Sequence, residues 1–65
     1  MAISKRTELA QARRQLKRLE HDEPAFRTRI GEYAPEAREQ AITWFEGILE
    51  KQREYVKQLE AEVER

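Results

Sequence analysis

No cysteine occurs among the 65 residues, which excludes a disulfide framework and any thiolate metal site. The single histidine, His21, cannot build a metal centre by itself. Glycine and proline occur twice each, too rarely for irregular loops to make up much of the chain. Long hydrophobic runs are also missing: the longest uncharged stretch is QAITWF, against the roughly 20 apolar residues a bilayer span needs. The start, MAISKRTEL, has none of the apolar core of a secretory signal, so a soluble, cytoplasmic protein with no membrane contact is expected.

Charge, by contrast, is abundant. Charged side chains are 40% of the residues, where roughly 25% is usual. Such a composition suits either disorder or long solvated helices, and the regular spacing of the apolar residues selects helices. The net charge of zero conceals a gradient. Residues 1–21 set Lys5, Arg6, Arg13, Arg14, Lys17 and Arg18 against Glu8 and Glu20, a balance of +4, while residues 22–40 and 41–65 each come to −2. A basic first helix and an acidic last helix attract each other.

Ser4 can cap the first helix, in which Leu9, Ala12, Leu16 and Leu19 recur every three or four residues as one apolar stripe. This places helix 1 at about residues 4–22. Pro24 lacks the N–H of an interior helical residue, and Asp22 can cap a new start, so the spacing predicts a break and then a linker or short helix over 23–34. A kinked continuation is the alternative. Gly31 can end this segment in the left-handed conformation, and His21 sits where a cation would complement the end of helix 1.

Pro35 opens the last segment, a helix over about 35–64, with Glu36 and Glu39 in its first turn. Ile42, Phe45, Leu49, Gln52, Val56, Leu59 and Val63 alternate in steps of three and four, a heptad seam with one polar member. Ala41, Ile48 and Tyr55 widen that seam beyond the needs of a two-stranded coiled coil. Gln52 would either fix register or lie at a solvated edge. If helix 1 ends near residue 22 it spans about 28 Å against about 43 Å for the last helix, leaving Tyr55, Val56, Leu59 and Val63 uncovered. The expectation is therefore all-α: an antiparallel helical hairpin, with a short intervening helix or turn, dimerising through the seam into a four-helix bundle or coiled coil. A 65-residue chain without disulfides or metal commonly needs such a partner.

Catalytic patterns are absent from the sequence. There is no nucleophile with a base, no phosphate-binding glycine loop and no metal cluster, so neither an enzyme nor a cofactor is expected. Arg13, Arg14, Lys17 and Arg18 form a basic face that would suit RNA or DNA, an alternative opposed by the neutral overall charge and the acidic neighbouring helix. Trp44, adjacent to Phe45 and so about 100° away around the helix, cannot share its direction. Two readings stand open: Trp44 packs under residues 24–33 against Phe26, Ile30 or Tyr33, or it joins Ile48 and Tyr55 in a partner-binding surface.

In length, helical content and lack of catalytic residues, the chain resembles the Rop-like family of helical-hairpin dimers, although its linker DEPAFRTRIGEYAP is longer than that family's tight turn. Its short, Arg/Glu-rich character also looks like bacteriophage accessory proteins of the anti-quorum-sensing type, which bind and inhibit a host factor. The phage likeness implies a small inhibitor or adaptor that binds a partner protein in a bacterial cytoplasm.

Overall fold

The computed structural model describes residues 3–64, and these form two helices joined by a short turn: α1, Lys5–Ile30, and α2, Pro35–Val63. The helices run antiparallel as a hairpin 46 × 19 × 15 Å, one helix long and two helices wide. Ser4 caps α1 as its side chain accepts a hydrogen bond from the Thr7 N–H at 3.2 Å. Pro35 begins α2, where its missing N–H costs nothing.

The expected break at Pro24 does not occur, because α1 continues through it to Ile30. Pro24 faces solvent, so the Glu20 carbonyl that loses its helical donor can be hydrated. Thr28 stitches the next turn by donating its hydroxyl to the Pro24 carbonyl at 3.0 Å. An interior proline costs about 3 kcal/mol. Against this stand Phe26 and Ile30, which keep the apolar stripe on α2 only if the helix persists, and full burial of each is worth about 1.5–3 kcal/mol. Ile30 is 2% exposed, so the stripe prevails.

Two further local expectations change with it. His21 lies inside α1, not at its end, so it has no capping role. Gly31 closes the helix in the right-handed region (φ −59°, ψ −23°), its N–H donating to the Thr28 carbonyl. A Cβ at Gly31 would lie 3.2 Å from that carbonyl oxygen, a tight contact that a small shift of the last turn would have to relieve, so glycine is the easy fit here without any left-handed turn. Arg38 reaches back from α2, its guanidinium donating to the carbonyls of Gly31 at 3.4 Å and Tyr33 at 3.3 Å. A cation is thereby held at the negative end of α1.

The length mismatch that called for a second chain disappears as well. At 26 and 29 residues, α1 and α2 are about 39 and 44 Å long and cover each other along their whole length. Leu9 and Ala12 bury Val56 and Leu59 at the open end, with Leu16 and Val63 packed alongside. At the turn end the ring of Phe26 stacks on Phe45, centroids 4.6 Å apart, and Leu49 is buried between the two groups. Phe45, Leu49, Val56 and Leu59, assigned from the heptad pattern to a dimer interface, are thus core residues of a single hairpin. Ile42 and Val63 are half-buried in the same seam. Gln52 is also half-buried there, and its amide donates to the Ala12 carbonyl of α1 at 3.1 Å, so its polar group is spent on the partner helix.

One edge of the hairpin is closed by a ladder of ion pairs. Arg13 meets Glu60 at 3.0 Å, Glu20 meets Arg53 at 3.5 Å, and Arg27 meets Glu46 at 3.4 Å. The rungs are seven residues apart on both helices, and in each rung the two residue numbers total 73. Signs alternate along each helix. A slip of one heptad therefore places Arg13 against Arg53 and Glu20 against Glu46, or, in the other direction, Glu20 against Glu60 and Arg27 against Arg53. Each exposed pair contributes only about 0.2–1 kcal/mol, so the ladder does more for register than for stability.

Candidate interaction surface

On the opposite edge the helices part into an open groove of about 540 Å³. Its α1 wall is Leu19, Asp22, Ala25, Phe26 and Arg29; its α2 wall is Trp44, Phe45 and Ile48. Phe26 and Phe45 reach the groove from the core, since their stacked rings bridge the two helices. Trp44 stands at the rim with 63% of its surface exposed, touching Phe26 only at a tilt, with ring centroids 6.4 Å apart. Of the two sequence readings of Trp44, the packing one holds for that single edge contact. Ile30 is sealed in the core and Tyr33 lies exposed in the turn, so neither covers the indole.

Ile48 is half-buried one turn from Trp44 in the groove wall. Tyr55 lies two turns further along the same face, 38% exposed, and its hydroxyl donates a hydrogen bond to the Glu8 carboxylate. That bond, aided by partial burial and the charge of Glu8, holds the phenol above its ordinary value of 10.0. Lys5 bonds Glu62 at 3.2 Å and approaches Glu8 at 3.7 Å, and these carboxylates raise its ammonium above the ordinary 10.5. The apolar groove thus ends in a polar clasp that ties the start of α1 to the end of α2.

The basic face of α1 separates into two sets. Arg13 is committed to Glu60 in the ladder. Arg14, Lys17 and Arg18 are exposed and make no ion pair or hydrogen bond among the described residues, and neither does Arg6. The intramolecular partners expected for these cations are therefore found for Arg13 and not for the other three. On α2, Glu36, Glu39, Glu50 and Glu54 likewise stand without a cationic partner. The attraction foreseen between a basic and an acidic helix is confined to the ladder and the clasp, and the outer faces keep opposite charge.

Among the described residues no charged or polar residue is buried, and no group of three or more His, Asp or Glu side chains is gathered as a metal site would need. No helix is long and apolar enough to cross a membrane. No protein-family model, no curated protein and no solved structure matches the chain. The assignment of a role therefore rests on the surface itself. The heptad pattern could locate the seam but not the groove, which depends on Phe26 belonging to a continuous α1.

Proposed function

We propose that this chain is a non-enzymatic protein-binding module, a small inhibitor or adaptor that engages a partner protein through the groove between α1 and α2. The observation that carries this reading is Trp44, which at 63% is the most exposed of the large hydrophobic side chains among the described residues and stands at the rim of an apolar groove. Trp is the side chain most enriched among residues that dominate protein interfaces, and here it stands beside Phe26 and Ile48 on two rigid helices. An anchor so placed loses little conformational entropy on docking. Leu19 and Ile48 extend the apolar strip along the groove, and the charged rim gives a complex its orientation.

The test is retention of host proteins by immobilised chain, wild type against Trp44→Ala. A specific protein held by the wild type and lost by the variant, at unchanged helicity, is the expected result. Equal retention by both removes the groove from the mechanism.

A second reading is favoured by one specific observation, the unpaired Arg14, Lys17 and Arg18, which with Arg13 could make a dimeric RNA- or DNA-binding regulator. Such binding releases counterions and weakens steeply with salt. Association with RNA or duplex DNA that drops by orders of magnitude between about 50 and 200 mM salt would favour it over the protein-binding role.

A further inference from the structure

We infer that the groove between Trp44 and Leu19 is occupied by a second copy of this chain, the two hairpins related by a twofold axis parallel to their helices. This rests on the reading of the groove as a protein-interaction surface and names its occupant in the absence of another protein, which would have to displace the second copy to bind there.

Surface area is the first argument. The hairpin exposes 5636 Å², whereas a compact monomer of 7.8 kDa exposes about 4,400 Å². The excess of about 1,200 Å² is larger than the roughly 800 Å² each partner contributes to a standard interface. Two hairpins packed groove to groove make a four-helix bundle, the smallest symmetric assembly in which each copy covers part of the other's surplus.

Charge selects the arrangement. Two ways of facing the grooves have twofold symmetry. An axis across the helices lays α1 on the partner's α1. That stacks like on like: Arg29 in the groove wall and Arg18 beside it, both unpaired among the described residues, meet their own copies, with Asp22 as the carboxylate of that wall. An axis along the helices lays α1 on the partner's α2, antiparallel and at unchanged height, so the heights within one hairpin also apply between copies. The ion-pair ladder calibrates those heights at residue numbers totalling 73. Asp22 and Lys51 satisfy that relation and Arg18 and Glu54 miss it by one. All four are exposed: Asp22 lines the groove, Arg18 shares the adjoining hollow of α1 with it, and Lys51 and Glu54 flank Tyr55 on α2; none has an ion pair among the described residues. Each copy therefore offers the other two ion pairs that it cannot make with itself, and the same axis gathers both Trp44 side chains at one level.

The experiment is sedimentation equilibrium on the full chain, with circular dichroism as the check on folding. Wild type is expected at twice 7.8 kDa by about 100 µM. Trp44→Glu is expected at the monomer mass with helicity kept, since the indole lies outside the core. Arg18→Glu should weaken the dimer about tenfold, and Arg18→Glu with Glu54→Arg should restore it. A monomeric wild type overturns the inference, as does a dimer that Trp44→Glu leaves intact. A dimer that survives with both charge variants indistinguishable from wild type overturns the arrangement. Binding of anilinonaphthalene sulfonate separates this from the broader reading. If a monomeric wild type binds the dye and Trp44→Ala does not, the groove remains an interaction surface for a different protein and only the second copy is ruled out.

Discussion

Along one edge of the hairpin Arg13, Glu20 and Arg27 meet Glu60, Arg53 and Glu46, while along the other Leu19, Phe26, Trp44 and Ile48 line a groove open to solvent, bridged by the tilted contact of Phe26 with Trp44. The same two helices make both edges. The ladder edge is polar, alternating and satisfied within the chain, and it carries information about which residue lies opposite which. The groove edge is aromatic and unsatisfied, and its free energy is available to something outside the hairpin. A chain of this size has room for one thin core, and the contrast shows how its remaining surface divides between charge pairs that specify the hairpin and an apolar strip left open to solvent.

The sharpest way to probe that division is at the adjacent aromatics. Phe45→Ala removes a core ring that stacks on Phe26, and is expected to cost about 3–5 kcal/mol, enough to unfold much of so small a domain. Denaturant melts of this variant beside Trp44→Ala check the contrast. Near-equal losses would mean that the two edges share one core and that the indole is no separate feature.

Next in size is the ladder. Glu20→Arg sets two arginines against each other at the central rung and is expected to lower stability by about 1 kcal/mol, while adding Arg53→Glu should recover most of it. A double-mutant cycle by thermal melting measures the coupling, and recovery that fails in low salt would deny the rung any part in register.

The smallest expected effect lies in the clasp at the end of the groove. Tyr55 and Lys5 are both held above their ordinary values by the carboxylates they contact. A raised folded-state value means that this contribution is fully present below pH 10.0 and is lost as pH climbs through the folded values, because the unfolded chain releases its protons first. Melting temperature followed from neutral pH into the alkaline range should hold steady and then fall above pH 10, with Tyr55→Phe flattening the early part of the fall.

The sequence made the all-helical hairpin legible because its apolar residues recur at helical spacing on both arms, and the caps at Ser4 and Pro35 mark two of the four helix ends. At Pro24 tertiary packing decides over the local rule: burial of Ile30 and the stacking of half-buried Phe26 on Phe45 outweigh the missing hydrogen bond. From that one boundary followed the shortened helix 1 and the assignment of Val56, Leu59 and Val63 to a second chain. The ladder was present in the sequence as a seven-residue alternation of sign in both arms, yet its meaning needs both arms at once, and it reads as a solvated face when each helix is considered alone. Trp44 was recognisable as the odd aromatic beside Phe45. Where it lies relative to Phe26 depends on the pairing of the helices, which no single-helix pattern contains.

A register written into side chains instead of into the connection has a consequence for the turn at residues 31–34. Gly31, Glu32, Tyr33 and Ala34 hold the two arms close, but the relation that totals 73 belongs to the helix faces and would be the same for arms carried on separate molecules. The turn then acts chiefly as a tether that raises the effective concentration of one arm near the other. Lengthening it with glycine and serine should lower stability only by the slow logarithmic cost of closing a longer loop, leaving the rungs in place. The connection is therefore the part of this protein most open to redesign.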